Sequence, residues 1–591
     1  MSYRAPLDDI GFALKHGAAL GPAIEQGLFG DLSLDDVEAV LAEAGRFAGE
    51  VIAPLNRIGD TFGAKFADGA VTTAPGWKEA YRDWRLAGWN AVTAPAEWGG
   101  QALPQIVNAA CTEMWHSASV GFANGPMLTM AAIDALNAHG SETLKRTYLE
   151  KLVCGEWMGT MQLTEPQAGS DVGALRTRAE RAGDGSYRLK GQKIFITYGE
   201  HDFTDNIIHF VLARLPDAPP GTRGISLFLV PKFLLQADGS LGARNDIRAH
   251  SIEHKLGIHG SPTCTMILGD NAGGIGFLIG EENAGIACMF TMMNRARLAV
   301  GLQGVGIAER ATQQALAYAR DRRQGRITGM KATESAPIID HPDVRRMLLT
   351  MRALTQAARA ICYAAAMAID RSERSTDDAA RKAAHQQASL LTPVAKAFST
   401  DIANDVASLG VQVHGGMGYI EETGAAQFFR DARIAPIYEG TNGIQAIDLV
   451  TRKLPLANGA AVAAHCEELR GIVGALNASN DPAFGWTAVR LGDAAESLSR
   501  TTAWLLAKIE KEPDAVLAGA SPYLRLFGIA TGGCLLAKEA LAALRLGGNA
   551  AGRLAIARFF AENVAVQAGA LERTVVEGAD GVLGADAALA S

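Results

Sequence analysis

The sequence predicts an α+β chain in which a helical region, a central β domain, a helical bundle and a further helical domain follow one another. Three successive sequence patterns support this: helical periodicity to about residue 155, β-branched and aromatic runs up to about 280, and long helical stretches beyond 285. The expected units are an N-terminal extension (1–32), a helical domain (33–159), a β domain (160–285), a bundle (286–456) and an additional helical domain (457–591). At 591 residues and 48% hydrophobic composition, the chain can bury several cores.

The first domain is expected to be entirely helical. Ser33 followed by Asp36 resembles a capping box, and apolar residues then recur at spacings of three and four up to Val51. In the β domain, residues 193–197, 207–213 and 225–230 are β-branched and aromatic and are separated by Gly, Pro and Asp turns, which predicts strands.

The bundle is predicted from four long helical stretches, residues 296–320, 342–369, 379–409 and 441–454. In the first stretch, Gly301 and Gly304 allow a close approach either of a neighbouring helix or of a flat ligand. Beyond an Ala- and Gly-rich linker, the uncharged stretch 526–537 is too short to span a bilayer and is predicted as a buried helix segment.

Composition excludes several classes of protein. A net charge of -8 and a pI near 5.9 argue against a general nucleic-acid binder. The seven cysteines are scattered without a C-x-x-C pair, which indicates reduced thiols in a cytoplasmic setting. The amino terminus lacks the pattern of a signal or transit peptide. The histidines show no ligand spacing, so no metal site is predicted.

One carboxylate is placed unusually, because Glu439 follows the apolar residues 434–437 directly before a predicted helix. Burial of an unpaired carboxylate is expensive, and proteins usually keep such a group for chemistry. The alternative is an exposed acidic residue ahead of an N-cap at Thr441, where a negative charge favours the helix dipole.

Four further segments carry candidate binding groups, and each also has an ordinary structural explanation. The loop 164–171 (TEPQAGSD) offers backbone N–H groups and hydroxyls, and Phe195 and Thr197 lie two residues apart on a strand, facing the same side. Residues 320–326 form a cationic helix end suited to a pyrophosphate or simply to solvent, and 412–418 form a Gly-rich turn.

In this order and spacing, these segments resemble the acyl-CoA dehydrogenase family over about residues 33–454. The resemblance rests on T-E-P-x-A-G-S-D, K-x-[aromatic]-I-T, D-R-R-Q, Q-V-H-G-G-M-G-Y and R-D-A-R-I-A-P-I-Y-E-G-T. It implies a β-barrel-like central domain, with FAD bound between that domain and the bundle and across a subunit interface.

The resemblance also implies roles for individual residues. The expected FAD-binding residues are Gln162, Leu163, Thr164, Ser170, Phe195, Thr197, Arg322, Gln324, Gln412, Gly415, Gly416 and Thr441. Among them, Arg322, Gln324 and the 412–416 turn would reach the FAD of a partner subunit. The expected substrate contacts are Ser170, Asn294, Arg297 and Gly440.

Glu439 falls on the position of the family's catalytic base. This implies removal of the α-proton of an acyl-CoA thioester as the β-hydride passes to flavin N5, giving the trans-2-enoyl-CoA. The backbone N–H of the base and a ribityl hydroxyl of FAD would stabilise the developing enolate. Burial is expected to raise the pKa of Glu439.

The N-terminal extension, the β-domain insertion 238–260 and the helical region after Leu456 resemble the large, C-terminally extended branch of the family. That branch includes enzymes of dimethylsulfoniopropionate degradation and of fatty acid metabolism, so the predicted substrate is 3-(methylthio)propanoyl-CoA or another short or medium acyl-CoA. The alternatives are a dehydrogenase of broader chain length, an acyl-CoA oxidase, or a non-enzymatic DNA-associated homologue. The resemblance further implies a homodimer, with an electron-transferring flavoprotein as the electron acceptor.

Overall fold

The computed structural model describes residues 3–331, 334–547 and 550–590. The N-terminal helices are α1 (Leu7–Phe12), α2 (Leu20–Glu25), α3 (Leu34–Phe47), α4 (Ala53–Phe62), α5 (Trp77–Leu86), α6 (Gln105–Ala118), α7 (Val120–His139) and α8 (Glu142–Val153). The predicted capping box begins α3: Asp36 N–H donates to the Ser33 hydroxyl at 3.1 Å, and the Asp36 carboxylate accepts from Ser33 N–H at 2.9 Å.

The first domain is not entirely helical, which corrects the prediction. Between α4 and α5 the chain forms a hairpin of β1 (Lys65–Ala67) and β2 (Ala70–Thr72). Asp68 (φ 51°) and Gly69 (φ 78°) make the two-residue turn, whose positive φ angles match the twist of the paired strands. Strands of three residues carry too little periodicity to stand out among helices.

The central domain is a closed β-barrel with additional strands. Its strands are β3 (Trp157–Gln162), β4 (Arg178–Arg181), β5 (Tyr187–Thr197), β6 (Asn206–Arg214), β7 (Ile225–Pro231), β8 (Phe233–Leu235), β9 (Leu241–Arg244), β10 (Ile247–Ile252), β11 (Thr263–Leu268) and β12 (Gly274–Ile279). The ring closes in the order β4–β5–β12–β7–β6–β4. β3 pairs with β6 in parallel, and β11 and β10 extend the sheet from β5. The three strands predicted from sequence are β5, β6 and β7.

The bundle follows the barrel. Its helices are α9 (Gly285–Asp321), α10 (Pro342–Arg374), α11 (Asp378–His414), α12 (Ala425–Ala432) and α13 (Asn442–Asp448). A Cβ atom on Gly301 would lie 2.7 Å from the Ala395 carbonyl oxygen, and one on Gly304 would lie 2.5 Å from that of Ser399. The two glycines therefore serve the packing of α9 against α11.

Buried polar contacts join the bundle to the first domain. The Asp370 carboxylate on α10 accepts the first N–H groups of α6, from Gln105 and Ile106, at 2.8 Å each. Arg359 on α10 forms a buried ion pair with Glu113 on α6 at 2.6 Å. These contacts fix α6 beside α9 and α10, at the edge of the site described below.

The last domain packs on the outer face of the bundle. Its helices are α14 (Ala460–Ser479), α15 (Thr487–Lys508), α16 (Pro513–Ala518), α17 (Ala520–Leu546), α18 (Ala551–Asn563), α19 (Ala568–Glu577), α20 (Ala579–Leu583) and α21 (Asp586–Leu589). The helix α17 is long and apolar enough to cross a membrane, but 89% of its apolar window is buried inside the protein. A Cβ atom on Gly528 would lie 2.2 Å from the Phe398 ring, so glycine lets α17 lie directly on α11. The predicted buried helix segment is confirmed.

Candidate active site

Glu439 lies in a tight turn between α12 and α13. Glu439 has a φ of 55° and Gly440 a φ of 82°, so consecutive residues occupy the left-handed region. For glutamate this conformation is strained, and such strain in proteins is concentrated at functional sites. Thr441 ends the turn as the N-cap of α13, its hydroxyl accepting from Ile444 N–H at 3.1 Å. The predicted cap is confirmed.

The Glu439 carboxylate is half-buried and accepts no hydrogen bond from the described residues. Burial raises its pKa to about 7, while the positive charges of Lys396 and Arg297 act in the opposite direction. The predicted direction of the shift is confirmed. A carboxyl group with this pKa can exchange a proton with a ligand near neutral pH.

Lys396, on α11, is fully buried behind this turn. Its ammonium donates to the Gly440 carbonyl oxygen at 2.8 Å and to the Asn442 side-chain oxygen at 2.9 Å. The Asn442 amide nitrogen donates in turn to the Asp401 carboxylate at 2.7 Å. The turn that carries Glu439 is thus attached to α11 through charged and polar groups.

On the opposite side, the turn contacts the interface between α7 and α9. The Tyr438 hydroxyl donates to the Gln303 side-chain oxygen, and the Gln303 amide donates to Asn124 at 2.7 Å and to the Met127 sulfur at 3.3 Å. Met127 lines a cavity between α6, α7 and α9, whose other lining residues include Asn108, Asp134, Arg295, Ala299 and Leu302. Gln303 thus connects Tyr438, the residue before Glu439, to Met127 at the edge of this cavity.

Arg297, predicted to contact the substrate, is buried on α9, whereas Asn294 is exposed. The Arg297 guanidinium lies 3.7 Å from the Asp448 carboxylate, and its Nε has no hydrogen-bond partner within the described residues. Burial lowers the pKa of Arg297, Asp448 opposing this. Arg297 is thus a cation close enough to Glu439 to stabilise a negative charge there.

The loop 162–171 follows β3 of the central domain and offers polar groups that a flat ligand could bind. Gln162 is fully buried with both side-chain amide atoms unpaired in the described structure. Leu163 and Thr164 are half-buried, and Ser170 is exposed. In the described chain, the backbone N–H groups of Thr164 and Ser170 donate to no carbonyl. These open donors suit an oxygen-rich ligand.

Phe195 presents an apolar ring beside this loop. The pairing of β11 with β5 shifts register between Lys193 and Ile196, so a bulge forms, and Phe195 has a φ of 60° there. The side chain of Phe195 is 59% exposed, Thr197 is half-buried and Ile196 between them is buried. Phe195 and Thr197 thus share the outer side of β5, as predicted, although the bulge interrupts regular alternation.

A buried ion pair fastens the loop to β5. The Lys193 ammonium lies 2.8 Å from the Glu165 carboxylate and also donates to the Leu163 carbonyl oxygen at 3.0 Å. Glu165 further accepts from Arg176 N–H at 2.6 Å and Thr177 N–H at 3.0 Å. Burial opposes ionisation of Glu165, but Lys193 and these donors lower its pKa to about 2.

The two remaining predicted segments meet at one end of the bundle. Tyr318, one turn before Arg322 on α9, stacks on His414 at the end of α11 with ring centroids 4.4 Å apart. Exposed around this contact are Arg322, Gln324, Gln412, Gly415 and Gly416. Arg322 donates to Gln324 at 3.4 Å. The sequence-predicted cationic and Gly-rich segments therefore form one exposed surface.

Several residues of the site are not evident from sequence motifs. They are Lys396 and Gln303, together with the hydrogen bond that Tyr438 makes. A single cation in the apolar stretch 390–398 was the available signal for Lys396, because lysine is rarely fully buried without a partner. Gln303 in the interior of α9 offered a similar, weaker signal.

Family profiles cover nearly the whole chain. The "Acyl-CoA dehydrogenase" N-terminal, middle and C-terminal domain profiles match residues 35–156, 160–271 and 283–454. The profile "Acetyl-CoA dehydrogenase C-terminal like" matches residues 460–586. The chain therefore belongs to the acyl-CoA dehydrogenase family, and is an FAD-dependent oxidoreductase with acyl-CoA dehydrogenase activity.

Individual relatives agree with this assignment. The chain is 47% identical to 3-methylmercaptopropionyl-CoA dehydrogenase of Ruegeria pomeroyi over 590 residues, 99% of each protein. It is 36% identical to a butyryl-CoA dehydrogenase of Syntrophomonas wolfei, over 95% of each. The structure of a Bacillus anthracis acyl-CoA dehydrogenase complexed with FAD matches with a TM-score of 0.75 at 21% identity, covering 93% of this chain and 89% of that one, which supports the fold.

Proposed function

We propose that this protein oxidises the Cα–Cβ bond of 3-(methylthio)propanoyl-CoA or another short or medium acyl-CoA, with Glu439 as the base. The observation that carries the proposal is the Glu439 carboxylate itself: half-buried, without a hydrogen bond from the described residues, and held in left-handed backbone. Its pKa of about 7 leaves it able to accept a proton from carbon at neutral pH.

Glu439 removes the α-proton, and the protein must then stabilise negative charge on the thioester oxygen. The Glu439 N–H donates to no backbone carbonyl of the described residues and is available to that oxygen. Arg297 contributes a buried positive charge nearby. When bound, FAD supplies the electron-accepting chemistry that takes the β-hydrogen with its electron pair.

The FAD would lie against the exposed face of β5 and the 162–171 loop. Phe195 would cover the flat ring system, and Thr197 would hydrogen-bond to its edge. Leu163, Thr164 and Ser170 offer backbone and hydroxyl groups, and the backbone of Gln162 belongs to the same loop. The unpaired Gln162 amide and the exposed, strained Phe195 are the features of this structure that fit such a group.

The remaining FAD contacts would come from a second copy of the chain. Arg322, Gln324, Gln412, Gly415 and Gly416 form the exposed surface at the end of the bundle, and Thr441 would contact the diphosphate. Exposed apolar side chains follow the Gly-rich turn in the sequence: Met417, Tyr419, Ile420, Phe429 and Ile437. A cluster of this kind on a folded chain favours burial in an interface. We therefore propose a homodimer; light scattering that gives a stable tetramer would contradict it.

The CoA portion would contact Asn294 and Arg297, and the thioester would lie at Gly440 and Ser170. Gly440 takes a φ that other residues rarely adopt, and a Cβ there would lie 2.7 Å from the Gln445 amide nitrogen. The acyl chain would point toward Met127 and the cavity beside it. The 47% identity to 3-methylmercaptopropionyl-CoA dehydrogenase supports the choice of a short, thioether-containing acyl group.

Electrons would pass to an electron-transferring flavoprotein in the cytoplasm, in a pathway of dimethylsulfoniopropionate or fatty acid degradation.

The domain limits that we propose are residues 1–32 for the N-terminal extension, 33–159 for the first helical domain, 160–285 for the β domain, 286–456 for the bundle and 457–591 for the additional helical domain.

The proposal is tested with a panel of acyl-CoA thioesters assayed with an artificial electron acceptor. We expect the highest kcat/KM with 3-(methylthio)propanoyl-CoA or butanoyl-CoA; highest activity with long-chain acyl-CoA would contradict the substrate assignment. Anaerobic reduction by substrate, followed by stopped-flow reoxidation in air, distinguishes a dehydrogenase from an oxidase. Slow reoxidation is expected.

A further inference from the structure

We propose that Lys396 is a positioning residue for the base: its buried ammonium holds the 438–442 turn in its strained conformation and keeps the Glu439 carboxylate ionisable. The inference rests on the proposed role of Glu439. No predicted site residue lies within the part of α11 that carries Lys396.

The 438–442 turn has an unusual backbone. Glu439 and Gly440 are both in left-handed backbone, and a strained conformation of this kind persists only where the surrounding structure over-determines it. Lys396 supplies that support by binding the Gly440 carbonyl oxygen at 2.8 Å and the Asn442 side chain at 2.9 Å. One buried cation therefore contacts the residue after the base and the first residue of α13.

Asn442 extends this support to other groups of α11. Its amide nitrogen donates to the Ala397 carbonyl oxygen at 3.1 Å, the Thr400 hydroxyl at 2.9 Å and the Asp401 carboxylate at 2.7 Å. Lys396 has only neutral oxygens as direct hydrogen-bond acceptors in the described residues, so its charge is not neutralised by a contacting carboxylate. An uncompensated buried cation stabilises whichever nearby group can become negative.

The nearby ionisable groups define that partner. Asp401 lies on α11 itself and is bound by Asn442; Arg297 of α9 is paired with Asp448 of α13. From α17, Arg525 lies 3.1 Å from Asp405. Glu439 is thus the carboxylate around Lys396 that has neither a hydrogen-bond donor nor a salt-bridge partner in the described chain. Burial lowers the pKa of Lys396 to about 7, and Glu439 opposes that shift, so the two charges stabilise each other.

The test compares Lys396→Met and Lys396→Arg with the wild-type holoenzyme, measuring kcat/KM against pH for the best acyl-CoA substrate. For Lys396→Met we expect the acid-limb pKa to rise by about one unit. We also expect the pH-independent turnover to fall about tenfold, since a displaced base loses rate steeply. Lys396→Arg keeps the charge but not the geometry, so its acid limb should stay in place while its turnover falls.

Each outcome decides the inference. If Lys396→Met lowers only the melting temperature and leaves both the acid limb and turnover unchanged, Lys396 is merely structural. If Lys396→Met yields no holoenzyme, Lys396→Arg still tests the inference. Wild-type turnover in Lys396→Arg overturns it, and so does a shifted acid limb. Glu439→Gln is measured in parallel, and full activity of that variant refutes the proposed base. If Glu439→Gln is inactive but both Lys396 variants keep wild-type turnover and acid limb, only the role of Lys396 is refuted.

Discussion

The Lys193 ammonium and the Glu165 carboxylate lie 2.8 Å apart, with side-chain exposures of 0% and 3%. The contact joins the loop before the candidate flavin surface to the strand that carries Phe195. In the sequence, both residues belong to motifs of the family, yet the structure gives them an internal, loop-fixing role. The position of the 162–171 backbone thus depends on this buried pair.

Replacement of Lys193 by Met should destabilise the protein strongly. Removal of one partner leaves the Glu165 carboxylate buried without its cation, which typically costs about 3–5 kcal/mol. Urea unfolding monitored by circular dichroism measures the change. Lys190→Met, an exposed substitution on the same strand, is the matched control and should change the unfolding free energy by less than about 0.5 kcal/mol. Equal effects of the two variants would contradict this role.

The same pair predicts an acid-sensitive stability. The pKa of Glu165 is lowered to about 2, so its stabilising contribution is present above its ordinary pKa and is lost as pH falls toward 2. Between pH 5 and pH 3, the wild-type protein should therefore lose more stability than Lys193→Met. Thermal unfolding at each pH measures the difference. An equal loss of stability in the two proteins would show that the low pKa of Glu165 does not depend on Lys193.

The pH dependence of turnover should reflect the raised pKa of Glu439. A base acts only when deprotonated, and the carboxyl group of the free enzyme loses its proton near pH 7. The kcat/KM should therefore fall about tenfold per unit below pH 7 and level off above it. Initial rates in constant-ionic-strength buffers from pH 5 to 9 measure this; a flat profile down to pH 5 would exclude a base with this pKa.

Phe195→Ala should weaken FAD binding while leaving the fold intact. The exposed ring offers a stacking surface of the kind worth about 0.5–1.5 kcal/mol, which corresponds to a several-fold weaker Kd. Phe195→Trp should preserve binding. The flavin absorbance retained after dialysis gives the comparison, with Leu86→Ala, an exposed apolar residue on α5, as the control. Unchanged retention in Phe195→Ala would refute the contact.

Met127→Ala should shift selectivity toward longer acyl chains. Met127 lines the cavity next to Gln303, and shortening it makes room for further methylene groups. We expect the kcat/KM ratio of octanoyl-CoA to butanoyl-CoA to rise about tenfold, the lower end of the discrimination for added methylene groups, because polar residues such as Asp134 and Arg295 also line the cavity. The control is Met347→Ala on α10, outside the cavity, which should leave the ratio unchanged. An unchanged ratio in Met127→Ala would show that the acyl chain lies elsewhere.

Local sequence patterns predicted most of the architecture, because the spacing of apolar residues follows from which face of a helix or strand is buried. The period of α9, α10 and α11, the β-branched runs of β5, β6 and β7, and the capping box at Ser33 are all local signals. The β1–β2 hairpin was missed although Asp68-Gly69 is a hairpin turn sequence, because its strands are only three residues long.

Contacts between distant segments could not be predicted in the same way. Lys396 meets Gly440 across 44 positions, and Tyr438 meets Gln303 across 135. Periodicity places each residue on a face of its own element but does not say which element faces it. The bulge that exposes Phe195 likewise depends on the register of β11, a strand about 70 residues further along the chain.

The most direct test of the account is the reduction of the flavin by acyl-CoA in Glu439→Gln. The variant keeps the shape of the side chain and removes its ability to accept a proton, so FAD content should match the wild type. Under anaerobic rapid mixing with the best acyl-CoA substrate, we expect flavin bleaching to slow by about 10²- to 10⁴-fold, while the control Glu422→Gln, an exposed carboxylate, bleaches at the wild-type rate. Bleaching of Glu439→Gln at the wild-type rate would contradict the assignment of Glu439 as the base.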